Sequence, residues 1–258
     1  MPKISIVLPT RNQADYLPHS LDGIANQTFR DFELIVVDDG STDSTPQVLA
    51  DYQSRLGFEL CRQAHAGLPT ALNVGFAQAQ GAHLTWTSSD NIMLPSMLET
   101  LSAALDGNPE VGMVYSDWYD IGDAGEIIRA VRTLDYDPLV LLRHNYIRAS
   151  FMYRRQCRDE VGDYDPDMKY KEDHDYWLRI ARRWPMRRVP ELLYQYRIHD
   201  RSLSRAHGPA DREREQANQA FHARHRAPRP LAWWYAQQKW RGVKLAYMLR
   251  GQGREIPR

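Results

Sequence analysis

Five short apolar runs rich in β-branched residues, at 4–8, 32–37, 58–61, 83–87 and 112–115, alternate with segments whose apolar residues recur at helical spacing. This alternation constrains the fold more than any other feature. Strands separated by crossover helices pack most simply as a mostly parallel sheet with helices on both faces, an α/β arrangement that leaves ligands at the carboxyl ends of the strands. The helical stripes are Leu17, Leu21 and Ile24, then Val48, Leu49 and Tyr52, then Leu72, Val74, Phe76 and Ala79, then Met97, Leu98, Leu101 and Leu105. Ser44 and Thr45 before Pro46, and Pro95 ahead of the last stripe, mark helix starts.

After Tyr115 the rhythm changes. The turn signal Asp123-Ala124-Gly125 between residues 118–119 and 127–128 predicts a hairpin. Residues 149–153 read as a further strand, 174–184 as a helix and 189–198 as one or two edge strands. From Ser204 the pattern is helical and polar, broken at Ala227-Pro228-Arg229-Pro230. One domain over 1–203 followed by a basic amphipathic tail over 204–258 accounts for the pattern.

Lys plus Arg and Asp plus Glu each total 33, so net charge makes no case for a nucleic-acid partner. Basic residues outnumber acids from Arg205 onward, leaving the body correspondingly acidic. Cys61 and Cys157 lie far apart with no C-x-x-C spacing, which supports neither a zinc site nor a disulfide framework. A reduced cytoplasm is the simplest home. The apolar opening stops at Pro9, too short for a signal-peptide core, and no run approaches a membrane span, so neither secretion by that route nor an integral protein is expected.

Chemistry concentrates at predicted strand ends. Asp38 and Asp39 follow the second strand and precede Gly40; a carboxylate there accepts from a ribose hydroxyl or base imide, or else caps a turn. No G-x-G-x-x-G or G-K-[ST] occurs, which argues against dinucleotide binding and a P-loop. Ser88-Ser89-Asp90-Asn91 follows the fourth strand, where Asp90 suits a hard divalent cation that also takes diphosphate oxygens, or a simple cap. In Lys171-Glu172-Asp173-His174-Asp175, Asp173 lies four residues before Trp177 on the stripe Trp177, Ile180, Ala181 and Trp184. Its carboxylate should point inward at a helix start, the profile of a general base; the alternative is a capping acid. Glu172 and Asp175 read equally as surface charge. Arg197 and His199 share a face if 196–199 is a strand, within reach of a phosphate or metal.

Together these segments resemble the family-2 glycosyltransferases of the GT-A fold. The resemblance covers roughly residues 3–203 and rests on I-S-I-V-L-P-T-R-N, D-F-E-L-I-V-V-D-D-G-S-T-D, A-L-N-V-G-F-A-Q-A-Q-G, S-S-D-N-x-x-x-P, V-G-D-Y-D-P with K-E-D-H-D-Y-W-L-R, and Y-R-I-H. It implies a nucleotide-sugar donor, UDP-, dTDP- or GDP-linked, held in the half spanning 1–115 by Pro9, Thr10, Arg11, Asp38, Asp39, Asn73, Ser88 and Ser89. It implies Mn²⁺ or Mg²⁺ on Asp90 with His199, Arg197 helping to clamp the diphosphate, and Asp173 as the base of an inverting transfer, with Glu172 and Trp177 beside it in the acceptor half, 116–203. The implied acceptor is a saccharide or lipid-linked saccharide, as in bacterial surface polysaccharide synthesis. The chain departs from the family's Asp-x-Asp-Asp at Ser88, so a second carboxylate near ribose or metal is missing; Ser88 still donates or accepts a hydrogen bond, and activity is expected to survive.

Two other classes stay open: a nucleotidyltransferase, though the Gly-rich phosphate loop it needs is absent, and a non-catalytic nucleotide-sugar-binding scaffold, encouraged by Ser88. Trp118, Tyr119, Tyr146 and Tyr164 read either as sugar-stacking rings or as core. Residues 231–250, with Trp233, Trp240, Lys239 and Arg241, read as an interfacial helix that anchors the protein at the inner face of the cytoplasmic membrane, or as a packing or dimerisation surface.

Overall fold

The computed structural model describes residues 1–200 and 210–225, with side chains of the second segment described from 215 onward. The first half comprises β1 (Ile4–Thr10), α1 (Leu17–Ala25), β2 (Phe32–Asp38), α2 (Thr45–Leu56), β3 (Glu59–Arg62), α3 (Leu68–Gln78), β4 (His83–Trp86), β5 (Ile92–Met93) and α4 (Met97–Asp106). The second comprises β6 (Met113–Ile121), β7 (Ile127–Val131), α5 (Pro138–Leu141), β8 (Phe151–Arg154), α6 (Arg155–Val161), α7 (Glu172–Ala181), β9 (Met186–Arg197) and α8 (Ala210–Arg224).

The strands form one sheet in the order β3-β2-β1-β4-β8-β6-β9-β5, with β7 paired to β6. β1 to β4 run parallel, and β8 runs against both β4 and β6, so β6 and its parallel neighbour β9 return to the first direction. The sheet is therefore mostly parallel, and the expected hairpin is β6–β7. Residues 189–198 were expected at an edge. Instead β9 lies inside, between β6 and the two-residue β5, because one long strand supplies partners to both.

Alternate residues of the strands feed two cores. Ile4, Ile6, Leu8, Leu34 and Val36 face α1, α2 and α4, while Val7, Ile35 and Val37 face α3 and join the layer containing α7. Apolar residues on both faces are the reason these strands read as unbroken runs. Gly75 lets α3 lie close on this second face: a Cβ there would collide with Val7 Cγ1 and fall 3.2 Å from Val37 Cγ2. Gly75→Ala is accordingly expected to destabilise by about 1–3 kcal/mol, despite alanine's better helix propensity, as denaturant unfolding would show.

The four rings that read as sugar-stacking or core are mostly core. Trp118, Tyr146 and Tyr164 are buried, and Tyr164 stacks on Tyr176 at 3.9 Å. Of these four rings, Tyr119 alone keeps partial exposure. Helix α8 lies on α7 through Phe221, whose ring centroid is 4.6 Å from that of His174. Among the described residues no helix is long and apolar enough to cross a membrane; the 231–250 segment falls outside them.

Candidate functional site

Parallel strands that start in register also end together, which puts Thr10 opposite Asp38 and brings the Asp39 amide to the Thr10 carbonyl at 2.9 Å. Asp38 is buried and its Oδ1 accepts from the Ser41 amide at 3.0 Å, closing the turn at Gly40. Asp39 organises the loop after β3. Its Oδ1 accepts from Gln63 and the Ala66 amide, and its Oδ2 from the Gly67 amide at 2.9 Å, with His65 Nδ1 at 2.8 Å. Burial opposes the charge of this carboxyl, but those hydrogen bonds outweigh it and hold Asp39 below the usual carboxylate range. The Thr10 hydroxyl is buried with no hydrogen-bond partner among the described residues and lines the same cleft.

The middle of the cleft is built by the loop after β4 and the end of β9. Asp90 Oδ2 lies 3.0 Å from His199 Nε2, and Asp90 Oδ1 is buried without a hydrogen-bond partner among the described residues. Arg197 fixes this pairing. Its amide donates to Asn91 Oδ1 at 2.8 Å, its Nε to the Asp90 carbonyl at 2.9 Å, and its Nη1 to the carbonyls of Gly122 and Asp123. The guanidinium also lies 5.1 Å above the Tyr16 ring, which is itself 4.7 Å from the His199 ring. Arg197 thus spends its Nε and Nη1 donors on backbone carbonyls and locks the loop that carries Asp90.

At the far end, α7 begins at the cleft and presents its first turn. Asp173 Oδ1 accepts from the His174 amide and Oδ2 from Asn145 Nδ2, each at 2.6 Å. Burial raises the Asp173 carboxyl above the ordinary aspartate value, even though these bonds and the charges of Arg148 and Lys171 oppose the shift. Glu172 is pushed up as well, by burial and then by Asp173 beside it. Far from being surface charge, Glu172 is buried and lines the cleft, and Asp175 is fully buried away from the cleft lining. There Asp175 accepts from Arg179 Nε at 2.9 Å and Arg224 Nη1 at 3.3 Å, with His225 Nε2 at 2.7 Å.

One continuous cleft of about 940 Å³ joins these three places. Pro9, Thr10, Arg11, Asp39, Ser88, Ser89, Asp90, Glu172 and Asp173 line it. Asn73 stands elsewhere: its amide makes reciprocal 2.8 Å bonds with the Tyr164 backbone and bolts α3 to the segment before α7. Trp177 is buried in the core, its ring 4.4 Å from that of Phe151. His65, Asn145 and Arg148 line the cleft although no pattern marked them. The usable signal for His65 was Gly67, whose φ of +93° opens α3 just ahead of Pro69. Among the described residues no three His, Cys, Asp or Glu side chains gather as a metal cluster; Asp90 with His199 is a pair that could share a cation.

Comparison with known proteins bears on this geometry. Residues 5–171 match the family described as glycosyl transferase family 2. A PGL/p-HBAD biosynthesis glycosyltransferase of Mycobacterium bovis is 32% identical over 186 residues, 69% of either chain. S. aureus TarS 1-349 in complex with UDP-GlcNAc superposes with a TM-score of 0.66 at 18% identity, over 83% of this chain and 64% of that one. The mannosyltransferase PcManGT of Pyrobaculum calidifontis, in complex with GDP-Man and Mn²⁺, superposes at 0.59 and 18% identity over 95% of this chain and 76% of that one. At such identities the two structures speak for the fold. The chain spans 35% of an uncharacterised glycosyltransferase from Rickettsia felis and 65% of one from Rickettsia typhi, each 26% identical where they match.

Proposed function

Because this chain belongs to glycosyl transferase family 2, we propose that its cleft transfers a sugar from a nucleotide-sugar to an acceptor hydroxyl with inversion, using Asp173 as the base. The observation that carries this reading is the single cleft that runs from Asp39, past Asp90, to Asp173. The Asp39 end takes the nucleoside: the loop that Asp39 pins brings Ala66, Gly67 and Leu68 to the cleft wall at the open side of the sheet, and the unpartnered Thr10 hydroxyl is available to a ribose. The UDP-GlcNAc and GDP-Man carried by the structural neighbours support a donor of this class.

Asp90 and His199 suit a divalent cation, since one buried carboxylate oxygen lacks a partner and the other already meets an imidazole nitrogen. A cation bound there would offset the negative charge that grows on the leaving diphosphate. Ser88 leaves the site with one carboxylate where the family pattern has more.

At the other end, Asp173 removes the acceptor's hydroxyl proton as the acceptor oxygen bonds to the anomeric carbon. The bond from that carbon to the diphosphate oxygen breaks, and its electron pair leaves with the nucleoside diphosphate. A single displacement from the opposite face inverts the anomeric centre, and one base suffices. Asn145 positions that base through Oδ2. We extend the reading to a saccharide or lipid-linked saccharide acceptor, with residues 1–203 as the catalytic unit and the 204–258 tail as a contact to a membrane or a second copy.

The test is a panel of UDP-, dTDP- and GDP-sugars incubated with the purified chain and Mn²⁺, with nucleotide release and binding as readouts. One nucleotide class is expected to bind and to be turned over. Asp90→Ala is expected to raise the Mn²⁺ concentration for half-maximal activity at least about tenfold. Neither binding nor release across the whole panel would overturn the reading.

A further inference from the structure

The Asp173 end of the cleft carries more positive charge than the chemistry above requires. Arg148 stands in the turn before β8 with φ of +58°, a left-handed conformation that is unfavourable for a side chain of this size. Its Nε is buried and makes no hydrogen bond among the described residues. Its guanidinium lies 5.7 Å over the ring of Tyr196, and both residues line the cleft. Lys169 and Lys171 line the same end, on either side of Tyr170, which is itself left-handed with φ of +65°. The Asn145 side-chain oxygen is a second buried atom there without a hydrogen-bond partner among the described residues.

Each feature has a physical implication. A strained backbone persists where surrounding structure holds it, and such outliers gather at ligand sites. A guanidinium nitrogen withdrawn from water and left unpaired costs stability unless a ligand completes it. Arginine stacked on an aromatic face presents its fork edge-on, the geometry that receives a carboxylate or phosphate through two parallel hydrogen bonds. Asp173 at this end is the candidate base, which cannot be spent on neutralising Arg148 and still take a proton. Burial holds Glu172 toward its neutral form, so it does not balance the three cations.

We propose that Arg148, with Lys169 and Lys171, selects an acceptor saccharide that carries an oxyanion, a carboxylate or a phosphate, near the hydroxyl to be glycosylated. The inference rests on the glycosyltransferase reading and names the acceptor class for it. Arg148 grips the oxyanion, the unpartnered Asn145 oxygen accepts from a neighbouring hydroxyl, and the acceptor is drawn to Asp173 by charge that a neutral sugar cannot use.

The experiment is saccharide binding to the full chain, with Mn²⁺ and whichever of UDP, dTDP or GDP binds, using methyl glucuronide, glucose 6-phosphate and methyl glucoside. At least one anionic sugar is expected to bind about tenfold or more tightly than the neutral one, and the two anionic arms distinguish carboxylate from phosphate. Arg148→Gly is the informative variant, because glycine occupies positive φ without strain. It is expected to melt no lower than the parent while the anionic preference falls to within about twofold. Equal binding of all three sugars by the parent, no saccharide binding at all, or a preference that survives in Arg148→Gly would overturn the proposal. So would a preference lost only together with a lowered melting temperature, since that makes Arg148 structural. If none of UDP, dTDP and GDP binds, the glycosyltransferase reading falls first; if nucleotide binds and anionic preference is absent, only this inference falls.

Discussion

Asp173→Asn is expected to fold like the parent and to lose transfer activity by about 10²–10⁴-fold in kcat, the range a positioned general base supplies. The substitution keeps size and shape but removes the proton acceptor. Its structural cost should be small, because the His174 amide can still donate to one side of the new amide and the side chain of Asn145 can flip to offer its unpartnered oxygen to the other. A 10³-fold loss corresponds to about 4 kcal/mol of transition-state stabilisation. Burial raises the Asp173 carboxyl, so the acid limb of the parent's rate profile should lie above the ordinary aspartate value of 3.8. The rate falls as pH drops through that raised value, since the base must be unprotonated to work. Glu172 lies adjacent and is also raised, so the limb belongs to the pair. An Asn variant within about threefold of parental activity would remove Asp173 from the mechanism.

Asp175→Ala is the substitution expected to cost the most stability, about 3–5 kcal/mol, because it strips a fully buried carboxylate from Arg179, Arg224 and His225 together. For a chain of this length that lowers Tm by on the order of 10 °C, readable by calorimetry. The pH dependence carries a definite sign. Burial opposes the charge of Asp175, but His225 and Arg179 outweigh it and leave the folded carboxyl below its ordinary value. Its contribution is therefore complete above the unfolded pKa, about 4, and is lost as pH falls toward the depressed folded value. The gap between parent and variant should close in that window. A gap that stays constant down to the acid transition would mean that packing, not the ion pairs, sets the cost.

The strands and their two-sided burial were legible in the sequence because apolar residues at consecutive positions leave a strand no polar face to show. The acids at strand ends were legible for a related reason: Asp39 and Asp90 stand where an apolar run stops, and Asp173 where a helical stripe starts. What escaped reading was partnership. Asn73 and Arg197 have donors that match a ligand as well as a backbone carbonyl, and only the fold shows the Tyr164 backbone and the Gly122 carbonyl arriving first. Asp175 looked like an exposed acid on the outer side of α7, because nothing local indicates that α8 will cover it from some 50 residues away. Asn145 and Arg148 sit in an irregular turn, where neither period 2 nor period 3.6 exists to single them out.

The proposed base is itself held still. Both oxygens of Asp173 are engaged, its helix begins at that turn, and Trp177 anchors the next turn in the core. A carboxylate so tethered cannot swing out to meet acceptors of different shape. On the proposed mechanism, discrimination becomes a matter of trajectory: a hydroxyl would be glycosylated if the rest of its molecule lets it arrive along one line of approach. Broadening the acceptor range by engineering would thus mean reshaping the walls of the cleft, while the carboxylate stays where it is.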